Sequence, residues 1–410
     1  MPGRQDELAG KAGALLVRIG LGLLMVALPV AAIYSRRFVF SLMPIGAALV
    51  LTGALLMPGH RLLHKTRKAL LSPPLLAALC LLLWVGLSLA WTPVPGGAAE
   101  RFAKTLATLL LAFIVLTYLP TQSRTSNLNF LPIGAGATAI AAVVVIFVAP
   151  VALQPGQFEA TTLERAAVGL VLMVWPALAA LALRERWAYA GALAVAVVIA
   201  AVAIWTPAAL ASVIAGALIV FVAQPQPKTL SVVLGAAFAL LFLLAPVIPL
   251  LFQVAGPVPA VPVAIANSLL TWADIIHADP VRLLAPYGLE TVTRGLASGF
   301  LPQSMPRSIL FEIWFEFGVV GALAAAAVIY TTFVMAGRAP AAVAPFMLAG
   351  FACVLTIAIF GLATLQLWWL NIVSVMAIGF GCTIKGRMRN QRPIAPVVVP
   401  GFHPYRDAGN

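Results

Sequence analysis

Apolar residues in this chain fall in continuous runs of about 17–25 residues, separated by short breaks that are polar or contain proline. At 1.5 Å per residue, runs of that length match a hydrocarbon core of about 30 Å. The apolar positions do not alternate, so they do not read as barrel strands, which face lipid and lumen by turns. Helices are the other structure that satisfies every backbone group inside lipid. The runs predict helices near 13–33, 38–57, 69–90, 105–120, 130–149, 167–184, 188–205, 208–223, 229–252, 308–335, 341–360 and 364–384. The seventh and eighth are divided only by Trp205-Thr206-Pro207. Membrane helices tolerate proline, so that break reads as either two passages or one kinked passage.

The expected fold is all-α, a polytopic integral membrane bundle of about twelve transmembrane helices with one large external loop. Four regions follow: a bundle of about nine passages over 1–252, the loop 253–307, about three passages over 308–384, and a basic tail over 385–410. The loop opens with Pro257-Val-Pro259-Ala-Val-Pro262 and continues into an amphipathic segment near Asn267–His277, so it is expected to be ordered. Arg4 and Lys11 precede the first run like the start of a secretory signal, but the run is longer than a signal core. It reads as a retained anchor.

Composition agrees. Of 410 residues, 62% are hydrophobic and 9% charged, against about 45–50% and about 25% in soluble domains. The net charge of +13 suggests a nucleic-acid partner only if the charges cluster on a soluble surface, and these lie at helix ends. With both termini on one side, the segments on that side hold sixteen Lys and Arg residues and the opposite segments eight; Arg18 lies within the first run. That bias places both termini in the cytoplasm and segment 253–307 outside. Cys80, Cys353 and Cys382 sit in apolar runs and read as small core residues. The four histidines form no metal-type cluster, and His277 reads as loop surface.

Basic residues on the translocated side work against the insertion bias and need a reason. Arg165 stands at the mouth of the sixth run, and Arg294 and Arg307 flank the end of the loop. Converging guanidiniums would bind phosphate or pyrophosphate bidentately and stay charged. Interface anchoring, or pairing with Glu164 or Glu290, is the simpler role. The tenth run opens Arg307-Ser-Ile-Leu-Phe-Glu312-Ile-Trp-Phe-Glu316-Phe-Gly318, which puts Glu312 and Glu316 on one helix face. They read either as charges complementing the helix dipole or as an acid/base pair at an external cavity.

The stretch from Trp272 to Leu323 resembles the O-antigen ligase and polysaccharide polymerase family of bacterial inner membranes. The likeness rests on Trp272 and Pro280, on Pro286-Tyr-Gly288-Leu-Glu290-Thr-Val-Thr-Arg294, and on Glu312-Ile-Trp314-Phe-Glu316-Phe-Gly318-Val-Val-Gly321. Arg165 resembles the arginine that the family carries outside an earlier helix, and Leu89-Ala-Trp91-Thr-Pro93 also looks familial. Where the family has a His-Asn pair, this chain has Arg307-Ser308. The missing histidine shifts the expectation from ligase toward polymerase.

The resemblance implies a membrane glycosyltransferase working at the periplasmic face in surface polysaccharide assembly. Its donor would be a glycan on undecaprenyl pyrophosphate, and its acceptor a sugar hydroxyl on another glycan or on lipid A-core. Arg165, Arg294 and Arg307 would hold the pyrophosphate, and Glu316 or Glu312 would take the acceptor's proton. No cofactor and no metal are expected. The rival readings are a polysaccharide flippase and a non-catalytic scaffold descended from the enzymes.

Overall fold

A computed structural model describes residues 2–57, 66–67, 69–120, 125–152, 160–204, 207–256, 261–361 and 367–385. Helix α1 (Pro2–Gly22) passes through a π-turn (Leu23–Ala27) into α2 (Leu28–Tyr34), and α3 (Arg36–Leu56) follows. Then come α4 (Pro73–Leu87), α5 (Pro95–Tyr118), α6 (Phe130–Ala152), α7 (Ala160–Ala182), α8 (Trp187–Ile204) and α9 (Pro207–Ala223). The second half holds α10 (Pro227–Leu243), α11 (Val247–Ala255), α12 (Val263–Ala278), α13 (Thr291–Ala297), α14 (Ile309–Ala336), α15 (Ala344–Ile359) and α16 (Leu367–Lys385). Among the described residues there is no strand.

Local chemistry sets the boundaries. Proline opens α4, α5 and α10, where a missing N–H costs nothing because the first turn has no intrahelical acceptor for it. Ser35 is extended, and its hydroxyl accepts from the N–H of Arg37, starting α3. Ser308 starts α14 in the same way, accepting from Leu310 N–H at 3.3 Å.

Among the described residues, eight helices are long and apolar enough to cross a membrane, or nine if the bent pair α10–α11 is one passage. The protein is therefore a helical integral membrane protein. The count is lower than the expected twelve for physical reasons. The helices over 208–223 and 341–360 are 17 and 16 residues long, about 25 Å each, slightly short of a full core. The helix expected over 105–120 starts at Pro95 and takes in Glu100, Arg101 and Lys104. Residues 205–206, on which the two-passage question turned, lie outside the described residues; α8 and α9 are separate helices on either side.

Helix α7 is the central pillar. Over Arg165–Ala182, 94% of residues are buried, against α2, α6, α8, α15 and α16. A helix apolar on every side has no solvent face to keep and so takes the interior. Helix α4 is the opposite case: 6% of Pro73–Ala90 is buried, and it packs chiefly against α14. Leu76, Leu83 and Leu87 are exposed there, a surface that suits lipid. Helix α14 runs between α4 and α10. Cys353 and Cys382 are buried as expected, whereas Cys80 is exposed on α4, because an apolar run alone does not say whether a residue meets protein or lipid. The segment 253–307 is ordered where described, with the helix expected near 267–277 present as α12. Residues 257–260 of its proline-rich start lie outside the described residues.

Candidate functional site

The site grows from a break in α14. At Gly318 the backbone turns to φ 61°, ψ −158°, a conformation that only glycine adopts without strain. A Cβ there would lie 2.8 Å from the carbonyl oxygen of Leu283. The break deprives the preceding carbonyls of their partners one turn ahead, and outside donors replace them. Phe315 O accepts from Tyr287 N–H at 3.1 Å, and Glu316 O from Gly288 N–H at 3.0 Å. Phe317 O accepts from the indole N–H of Trp84 at 2.9 Å. A kinked helix, a loop and the end of α4 are thus joined through backbone groups that could not stay unpaired at this depth.

The loop is held from its other side by the turn after α4. Thr92 Oγ1 donates to Leu289 O at 2.8 Å, and Leu289 N–H donates to Ser88 Oγ at 3.3 Å. Gly288, at φ 94°, lets the two segments touch: a Cβ there would meet Thr92 Cα at 2.9 Å. Tyr287 stacks on Phe315 with centroids 4.3 Å apart, and the Arg282 guanidinium lies 4.3 Å over the Tyr287 ring. Arg282 Nε also pairs with Asp279 at 3.1 Å.

A buried charge network stands beside this loop. Glu290, left-handed at φ 73°, precedes α13. Its carboxylate pairs with Arg101 of α5 and, at 3.8 Å, with Arg294 of α13. Arg101 also donates to Thr293 Oγ1 at 3.1 Å. Glu316 is fully buried, and its Oε1 accepts from the N–H of Val292 at 3.0 Å, in the first turn of α13. Glu316 Oε2 is buried without a hydrogen-bond partner. The two glutamates therefore grip the short helix that carries Arg294, one through side-chain charge and one through the backbone.

These parts enclose a cavity of about 850 Å³, within the usual range for small-molecule sites. Trp84, Trp91, Pro93 and Val94 form one wall; Tyr287, Thr291 and Phe300 belong to the other. Among the described residues, Arg282 and Arg294 are its charged groups, and no carboxylate or histidine lines it.

The expected site residues divide. Arg294 is in the wall. Arg307 is exposed, 3.5 Å from Gln303 Oε1, and does not line the cavity. Arg165 is buried in the second turn of α7 and does not line it either. Glu312 and Glu316 are both buried, and neither reaches the cavity. Sequence reasoning missed Arg282 and Arg101 as members of the site. A readable signal existed for Arg282, which follows Asp279-Pro280 in the same loop as Arg294, but none placed Arg101, distant in sequence, against Glu290.

Comparison with protein-family models, with curated proteins and with solved structures gave no match.

Proposed function

We propose that this protein is a membrane glycosyltransferase of the O-antigen ligase and polymerase type, moving a glycan from undecaprenyl pyrophosphate to a sugar hydroxyl. One observation carries the reading: a cavity of about 850 Å³ that sets two guanidiniums, Arg282 and Arg294, among aromatic walls at the end of the apolar helix α4. A lipid-linked glycan needs such a combination. The guanidiniums match pyrophosphate oxygens, flat indole and phenol faces suit the apolar faces of sugar rings, and the adjoining lipid-facing helix α4 suits a polyprenyl chain.

In this reading the acceptor oxygen bonds to the anomeric carbon as the bond from that carbon to the pyrophosphate oxygen breaks. The electron pair leaves with the pyrophosphate, where Arg294 and Arg282 stabilise the added charge. The acceptor's proton passes to the departing pyrophosphate. Glu290 aims Arg294, and Glu316 holds the first turn of α13 in place. The protein lies in the bacterial inner membrane with both termini cytoplasmic and the cavity periplasmic, a sidedness supported by the Lys and Arg bias between its loops.

The test is reconstitution in vesicles containing an undecaprenyl-pyrophosphate glycan and an acceptor glycan. Free undecaprenyl pyrophosphate and a lengthened acceptor are the expected products. Movement of the intact donor between leaflets without release would make the protein a flippase. Neither outcome would leave a scaffold and end the enzyme reading.

A further inference from the structure

Helix α11 leaves α10 through a bend of 70°. It has nine residues, about 13 Å of helix, too little to cross a hydrocarbon core of about 30 Å. It packs against α12, which runs on into the turn Pro280–Leu283. Outward from this pair point Leu251, Val254, Val263 and Ile265, with Val254 88% exposed and Val263 74% exposed. Farther along α12 the exposed positions become polar, at Asp274 and His277. The opposite face of α12 is fixed to the bundle, with Trp272 buried edge-on against Phe311, centroids 5.5 Å apart.

We infer that α11 and α12 form an interfacial anchor, lying along the membrane surface with Leu251, Val254, Val263 and Ile265 sunk into the boundary between headgroups and acyl chains. Continuity fixes the occupant as lipid. The parent helix α10 already exposes Val232, Val233 and Leu240 on its membrane surface. A turn of 70° from a passage near the bilayer normal brings the next helix close to the plane of the interface. A helix that exposes apolar residues at one end and Asp and His at the other suits that layer better than water or the acyl centre. The anchor also sets the depth of the cavity, because α12 leads within four residues to Arg282 in the cavity wall. This holds whether or not the cavity takes a glycan.

Depth-dependent quenching tests it on the full-length chain. Val254→Cys is made together with Cys80→Ala, since Cys353 and Cys382 are buried. The thiol carries an environment-sensitive fluorophore, and the protein is placed in phospholipid vesicles bearing nitroxides either near the headgroup or near the acyl terminus. Because Val254 is exposed, the substitution leaves the fold intact, and a matching label at Leu251 repeats the reading. The expected result is at least about twofold stronger quenching by the shallow nitroxide than by the deep one. Stronger quenching by the deep nitroxide would overturn the inference in favour of a re-entrant or crossing segment. Quenching by aqueous iodide with none from either lipid would overturn it in favour of a water-facing surface, and quenching by none of the three in favour of a protein-covered one.

Discussion

Glu316 and Val292 meet through a single hydrogen bond, carboxylate Oε1 to backbone N–H at 3.0 Å, although they belong to different helices. The bond supplies the acceptor that the first turn of α13 lacks within its own helix. It fixes the helix that carries Arg294 to the kinked segment of α14.

A strut of this kind needs an oxygen, not a charge. Under the proposed function, Glu316→Gln keeps a carbonyl oxygen for Val292 and is expected to retain undecaprenyl pyrophosphate release within about threefold of wild type. Glu316→Leu leaves a buried N–H unpaired and is expected to lose about 1–3 kcal/mol of stability, with activity falling alongside. Thermal unfolding in detergent and product release are measured on both. Abolished release in Glu316→Gln at an unchanged melting temperature would show that the carboxyl itself takes part in the reaction.

Arg294 faces the cavity and Arg307 does not. Arg294→Ala is expected to reduce turnover by about 10²–10³, the usual effect of losing one donor to a developing negative charge, and Arg294→Lys to recover part of it. Arg307→Ala is expected to stay within about threefold of wild type. Equal losses at both positions would mean that the ligand extends well beyond the cavity described here.

Gly318 holds its kink only while residue 318 lacks a Cβ. Gly318→Ala is expected to destabilise the protein by about 1–3 kcal/mol, since its backbone region is almost closed to other residues and its new methyl would press on Leu283 O. Relief by straightening α14 would release Tyr287 and Gly288 instead, and thiol labelling of Tyr287→Cys would then speed up. A variant with wild-type melting temperature, activity and labelling would refute the strained-kink account.

Arg101 and Glu290 form an ion pair with little solvent around it, at 13% and 11% side-chain exposure. Removing one partner takes from the other its nearest opposite charge in a poorly solvated place, so Arg101→Ala or Glu290→Ala alone is expected to cost more than a surface pair would. The double-mutant cycle should give a coupling of about 1–3 kcal/mol in unfolding free energy. A coupling below about 0.5 kcal/mol would mean that the pair does not hold α13 in place.

Some of this site was visible in the linear chain. The segment Pro286–Arg294 and the run Glu312–Gly321 stood out because ionisable groups and glycines interrupt apolar sequence, and the structure joins them at Glu316 and Val292. Arg307 stood out as a basic residue beside the loop, yet it does not line the cavity. Polarity against an apolar background reveals that a residue needs a partner, not where the partner is. The turn at Ser88–Thr92 drew notice only through Leu89–Pro93, and its bonds to Leu289 span 197 and 201 residues of chain.

By itself the sequence determined that this is a helical membrane protein and roughly where its helices lie, because lipid requires each backbone segment to satisfy its own hydrogen bonds and so writes helix length directly into apolar run length. Its distribution of Lys and Arg also carries an expectation of sidedness. Only the tertiary structure decided which apolar faces meet protein and which are left for lipid, as with buried α7 and exposed α4. It alone bent α10 away from α11, broke α14 at Gly318, and gathered Arg101, Glu290 and Arg294 into one network. Those outcomes depend on packing between helices of almost identical composition, where shape and a few polar contacts choose the neighbours and hydrophobicity does not.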